Sequence, residues 1–184
     1  MNLSQNYFVL FNLPQQFEVD KQQLTDKFRQ LQREVHPDRH ACEGKHQQRL
    51  AVRFASYVNT AYQTLKSPLL RAEYLLELAQ VFMNTQTMTI ADSDFLFQQM
   101  QWRDTLSKAA NLQSKQGLTE LSQTVSDCRE KLLSVFTHNY DEKDFNSAKE
   151  TVAKLHFVEK IMTEIEQVEF SKPTESSNLP SHAS

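Results

Sequence analysis

The segment His36-Pro37-Asp38-Arg39-His40-Ala41-Cys42 carries the densest reactive chemistry in the chain. His36, Asp38, His40 and Cys42 alternate there, and all four are side-chain types that ligate zinc. A metal-dependent enzyme built on this loop is one reading. Against it, every ligand would come from one short stretch with no second cluster elsewhere in the sequence. A plain solvated turn is another reading, since Pro and Asp are ordinary turn residues. A third depends on the helices that flank the loop. No Ser-His-Asp order or pair of carboxylates can be assembled from the sequence into an active site, so no catalysis is expected. Cys42 and Cys128 fit neither a CxxC metal pair nor a disulfide scaffold, and are expected as free thiols in a reducing compartment.

The elements that position this loop are helical. The chain has 184 residues, 39% apolar, with 2 glycines and 5 prolines, too few turn formers for hairpins, a dinucleotide fold or a phosphate loop. A short apolar helix is predicted over about 6–11. Leu24, Phe28, Leu31 and Val35 then make one stripe of a helix over 20–35, with Asp20 as its cap, Gln23 at N3, Val19 and Leu24 as a staple, and Pro37 as its stop. After the loop, Leu50, Phe54, Val58, Ala61 and Leu65 mark a third helix up to Lys66. Leu70 to Phe82 continues helical. From Pro68 to Pro173 there is one glycine, Gly117, and no proline, which predicts long helices over about 90–110, 118–136 and 141–170. In the second of these, Leu118, Leu121, Val125, Cys128, Leu132 and Val135 read as the seam of an antiparallel bundle. The expected organisation is a helical domain over 1–79, a connector over 80–89, a three-helix bundle over 90–170 and a disordered tail over 171–184.

Charge is divided along the chain. Residues 1–75 hold 10 Lys+Arg against 7 Asp+Glu, whereas residues 76–170 hold 9 against 15. The front half is too weakly basic to imply a nucleic-acid partner. Met1 to Gln16 lacks the basic and apolar regions of a signal peptide, and no window reaches the ~18 apolar residues of a membrane span. A cytoplasmic protein is expected.

The helix over 90–110 has more apolar surface than two neighbours can cover. On a wheel of about 100° per residue, Phe95, Trp102, Leu106 and Ala109 form one stripe, while Leu96, Phe97 and Met100 fall on another side with Asp104 among them. The second group is either covered by the preceding connector or left for a partner.

The sequence around the loop resembles a J-domain, the module of the DnaJ co-chaperone class. Asn6-Tyr7-Phe8-Val9-Leu10-Phe11-Asn12-Leu13 is similar to the opening of that domain, His-Pro-Asp follows a helix bearing Lys27, Arg29 and Arg33, and Asn59-Thr60-Ala61-Tyr62-Gln63-Thr64-Leu65 is similar to its third-helix signature. Beyond it, Ser67-Pro68-Leu69-Leu70-Arg71-Ala72-Glu73-Tyr74-Leu75-Leu76 and an Asp-x-x-Phe-Leu helix resemble the HscB-type J-domain co-chaperones of iron–sulfur cluster assembly. That resemblance covers about residues 5–170. It implies an all-α, L-shaped protein: an N-terminal J-domain helical hairpin and a C-terminal antiparallel three-helix bundle. It also implies two partners and no cofactor. An HscA-type ATP-dependent chaperone of the DnaK class would dock on His36, Pro37, Asp38, Arg39, Lys27, Arg29 and Arg33 and be stimulated to hydrolyse ATP. An IscU-type scaffold would dock on Leu96, Phe97, Met100, Asp104 and Phe157. Two departures accompany the match. Gln30 and Gln32 make the second helix less basic than in many J-domains, and Gln101 and Lys108 stand where the family's patch is acidic. The chain begins at the J-domain without an amino-terminal cysteine zinc module, so the bacterial form is expected. A J-domain adaptor for a different client remains the alternative.

Overall fold

A computed structural model of the chain describes residues 5–35, 44–83, 90 and 92–170. Among these residues there are helices and no strands, so the fold is all-α. The helices are α1 (Tyr7–Leu10), α2 (Lys21–Glu34), α3 (Lys45–Lys66), α4 (Pro68–Leu78), α5 (Ser93–Asn111), α6 (Lys115–Asp141) and α7 (Phe145–Phe170). His36, Pro37, Asp38, Arg39, His40 and Cys42, most of the connector and the tail lie outside the described residues.

Several of the helices begin where side chains supply the missing acceptors, although α3, preceded by Gly44, has no side-chain cap. The Asp20 carboxylate accepts from the amides of Gln22 and Gln23 at 2.8 and 3.0 Å and starts α2. Gln23 turns away from the cap, its side-chain amide reaching the Asn12 carbonyl at 3.4 Å. Ser67 caps α4, with Pro68 in its first turn.

Among the described residues two packing units form, and they do not follow chain order: those before residue 84 group with 133–152, and those of 90–132 group with 153–170. In the first unit α2 and α3 make an antiparallel hairpin. The rings of Phe28 and Tyr62 stack at 3.9 Å, and Leu24, Leu31, Val35, Phe54, Val58 and Leu65 are buried. Arg71 is the buried cation of this unit. Its guanidinium donates to the Leu65 carbonyl at 2.6 Å, at the end of α3, and lies 4.8 Å from the centre of the Phe17 ring. Burial lowers its pKa, an effect that the charge of Glu18 opposes. Phe17 in turn packs on Phe136 of α6 at 5.0 Å, and the Tyr140 hydroxyl donates to the Leu75 carbonyl at 3.4 Å.

That change of neighbours explains where the seam reading of α6 departs from the structure. Leu118, Leu121 and Val125 are buried as expected, but further along it is Leu133 and Phe136 that are buried, while Val135 is 46% exposed. The period shifts because the helix serves the second unit up to Leu132 and the first from Leu133 onward. The helix also runs to Asp141 rather than ending near Phe136.

Scarce glycine does not prevent tight helix ends here. Asn12, Gln80, Gln113 and Lys143 all adopt positive φ, 51° to 62°, just past the ends of α1, α4, α5 and α6. Behind each, the next residue's amide closes on a carbonyl five residues back: Leu13 on Phe8, Val81 on Leu76, Ser114 on Ala109 and Asp144 on Asn139, at 2.8–2.9 Å. This is the hydrogen-bond pattern of the Schellman end, built with side-chain-bearing residues where glycine is the low-cost choice. Lys143→Gly should therefore raise the unfolding free energy by about 0.5–1 kcal/mol, read as a higher urea midpoint. A lower midpoint would show that the lysine side chain contributes more than its backbone strain removes.

Candidate functional site

Asp92 sets where α5 begins and holds it to α7. Its carboxylate accepts from the amides of Asp94 and Phe95 at 3.1 and 3.0 Å, and its other oxygen pairs with Lys154 Nζ at 2.5 Å. The same ammonium lies 5.6 Å from the centre of the Phe95 ring. With this end fixed, Phe95, Trp102, Leu106 and Ala109 are buried with Leu118, Leu121, Val125, Val158, Ile161 and Ile165 of α6 and α7. The predicted stripe is thus the buried one.

The second apolar group lies in water. Leu96, Phe97 and Met100 are 42%, 62% and 69% exposed. Asp104 continues their ridge one turn on, and Lys108 follows at the next turn, its ammonium 2.6 Å from the Asp104 carboxylate. The pair is exposed on both sides, so it leaves the end of the patch close to neutral rather than acidic. Phe157 differs from the other predicted members. It is half-buried, its ring edge-on to Phe95 at 6.2 Å, with the Arg103 guanidinium 5.4 Å from its ring centre. Arg103 also approaches Glu164 at 4.0 Å. Phe157 therefore packs partly on the core of the second unit, with Arg103 over its ring. On the other flank an open groove between α5 and α6, of about 570 Å³, is lined by Gln101, Trp102, Asp104, Thr105 and Glu120, a mixed surface without an enclosed pocket.

No local pattern in the sequence marks Arg103 or Lys154. Both act across helices, and the one available signal was the capping residue Asp92, which requires no particular partner. Cys128 is free and half-buried against the second unit's core, and burial pushes its thiol pKa up, as for a small packed hydrophobe.

On α2 the structure places Arg29 and Arg33 on the exposed side, with Lys27 partly covered. Lys27 donates to Gln30 at 3.2 Å, Arg29 lies 3.9 Å from Asp26, and Arg33 Nε donates to the Arg29 carbonyl at 3.2 Å. These contacts are local to one helix, so the cations remain presented to solvent. Among the described residues no group of three or more His, Cys, Asp or Glu side chains is placed to hold a metal ion, and no helix is long and apolar enough to cross a membrane.

Comparison with known proteins agrees on one family. Residues 91–166 match the family described as the HSCB C-terminal oligomerisation domain. A co-chaperone protein HscB homolog of Shewanella amazonensis is 39% identical over 89% of this chain and 97% of its own length, and one from Mannheimia succiniciproducens is 37% identical over 89% and 95%. The solved chaperone HscB from Vibrio cholerae superposes with a TM-score of 0.81 at 36% identity, covering 90% of this chain and 98% of that one. The human co-chaperone HscB gives 0.86 at 27% identity, over 92% and 84%.

The Asp92–Lys154 contact makes the start of α5 sensitive to acid. The Asp92 carboxyl is held below its ordinary pKa, first by the hydrogen bond from Lys154 and next by the Phe95 amide. A carboxylate lowered on folding contributes stability above its unfolded pKa, about 3.9, and loses it as the pH falls through the folded value. Asp92→Asn keeps a capping acceptor but not the charge. Its urea midpoint should lie below wild type at pH 7, with the gap closing below about pH 4. An equal gap at both pH values would contradict a role for the ion pair.

Proposed function

Because the chain belongs to the HscB family of co-chaperones, we propose that it brings an IscU-type iron–sulfur scaffold to an HscA-type chaperone and stimulates that chaperone's ATP hydrolysis in the cytoplasm. The hydrolytic chemistry belongs to the chaperone. This chain supplies two docking surfaces, one on each packing unit.

The observation that carries the reading is the exposed trio Leu96, Phe97 and Met100 on a helix whose opposite stripe is fully engaged. Contiguous apolar side chains of this size in water favour burial against a partner, and their spacing suits contact with a partner's apolar groove or helix. Phe157, half-buried against Phe95 with Arg103 over its ring, is assigned to the same scaffold contact. The neutralised Asp104–Lys108 end reduces long-range charge steering, so apolar contact supplies most of the affinity. Chaperone contact is assigned to His36, Pro37, Asp38 and Arg39 with Lys27, Arg29 and Arg33 of α2. Pro37 fixes the loop backbone, His36 and Asp38 make contacts without transferring protons, and the cations meet an acidic surface. Holding both partners on one chain raises the concentration of each near the other.

One assay separates the two surfaces: steady-state ATP hydrolysis by the HscA-type chaperone, with and without the scaffold. Asp38→Asn should abolish stimulation under both conditions. The triple variant Leu96→Ser, Phe97→Ser, Met100→Ser changes only exposed side chains, so the fold should be kept to within about 0.5 kcal/mol per site. It should retain the scaffold-independent stimulation and lose the increment that the scaffold adds. Full stimulation by Asp38→Asn contradicts the chaperone assignment. An undiminished scaffold increment in the triple variant contradicts the patch, whereas a wild type on which the scaffold adds nothing points to a J-domain adaptor for a different client.

A further inference from the structure

The flank of α5 that turns toward α7 carries a charge that apolar docking on the exposed trio leaves unused. Arg103 follows Leu96 by seven residues and Met100 by three, so it shares their ridge of the helix. Its guanidinium lies over the half-buried ring of Phe157 on α7, 5.4 Å from the ring centre. One exposed cation thus neighbours both Met100 and Phe157, and all of these residues belong to the second packing unit.

That cation is weakly balanced. Its carboxylate partner, Glu164, stands 4.0 Å away, beyond hydrogen-bond range, and among the described residues the guanidinium makes no hydrogen bond. Other ion pairs of the same unit are much closer: Lys154 is 2.5 Å from Asp92, Lys108 2.6 Å from Asp104 and Arg129 2.6 Å from Glu159. Phe157, Lys160 and Glu164 follow one another along α7 at steps of three and four, so the exposed Lys160 adds a second cation to the ridge that Arg103 meets. Two cations against one carboxylate leave this edge net positive. One turn before Arg103, the Gln99 side-chain nitrogen is buried with no hydrogen-bond partner, a further donor on this flank that lacks an acceptor.

A guanidinium resting on a ring keeps its planar fork oriented, so it can take a carboxylate with little further ordering. The long contact with Glu164 is between groups in reach of water and costs little to exchange. A partner laid across Leu96, Met100 and Phe157 also excludes water beside Arg103, which strengthens its attraction for a carboxylate brought in with the apolar contact.

We propose that Arg103 is a specificity residue of the scaffold contact, taking a carboxylate that the scaffold presents next to its own apolar docking side chains. The inference rests on the scaffold reading above and extends the trio along its own ridge. It commits to an acidic side chain because this edge is net positive and its donors outnumber its acceptors. Glu164 occupies the place of that carboxylate in the free protein, so docking exchanges one partner of Arg103 for another.

Calorimetric titration of the full-length chain with the IscU-type scaffold, at low and at raised salt, tests this. Arg103→Gln should weaken binding about three- to tenfold at low salt and make the affinity less dependent on salt. Arg103→Lys keeps the charge and should keep most of the salt dependence. Glu164→Gln should act in the opposite direction, tightening binding about two- to threefold, because it removes the competing carboxylate. Helix content should be retained in all three, since Gln and Lys are good helix formers. Wild-type affinity in Arg103→Gln overturns the inference. So does weaker binding by Glu164→Gln, or a loss in Arg103→Gln at an unchanged salt slope, either of which reduces Arg103 to a support for the Phe157 ring. If the wild type fails to bind the scaffold, or the Leu96→Ser, Phe97→Ser, Met100→Ser variant binds it as tightly as wild type, the scaffold reading has failed instead.

Discussion

Helix α5 has apolar side chains on more of its circumference than two neighbouring helices can cover, and the packing of the second unit follows from that constraint. Burying Phe95, Trp102, Leu106 and Ala109 leaves Leu96, Phe97 and Met100 outside. A large apolar side chain contributes about 1.5–3 kcal/mol on full burial. The buried set is the larger, since it contains Trp102, so apolar area already favours the observed rotation of α5. The edge contacts all act in one direction: Asp92 with Lys154, Lys154 over Phe95, and Arg103 over Phe157. Together with the burial of Trp102 in the core, these contacts favour the observed rotation. The exposed trio is thus a consequence of how the helix is anchored.

The first unit depends on a different kind of contact. Its hairpin, α2 against α3, is stacked through Phe28 and Tyr62, while Arg71 joins the end of α3 to the ring of Phe17. A buried guanidinium requires both a carbonyl acceptor and an aromatic face, and the Pro68-to-Leu76 run is where the sequence supplies it. Through Phe17 the same contact extends to Phe136, which explains why the middle of the α6–α7 region groups with the N-terminal helices.

Much of this was legible in the sequence because it depends on local rules. The Asp20 cap, the stop before Pro37, the extent of α3 and the division of α5 into two apolar groups each follow from spacing within one element. What escaped depends on neighbours. The seam of α6 changes face once its partners change, which no single-helix period reveals, and Val135 therefore lies on the exposed side rather than in the seam. Scarcity of glycine was read as scarcity of turns, but four helix ends use Asn, Gln or Lys in the left-handed region instead. The partial burial of Phe157 against Phe95 is likewise a property of two helices. The loop residues His36 to Arg39 carry the strongest motif and lie outside the described residues, so their reading still rests on sequence and family.

Amide hydrogen exchange on the full chain, alone and saturated with the IscU-type scaffold, tests the central claim most directly. The trio faces solvent when the protein is free, so a docked partner should slow exchange along residues 96–104 of α5 and leave the buried amides of α2 and α3 as they were. Protection confined to other helices, with α5 exchanging at its free rate, would contradict the account.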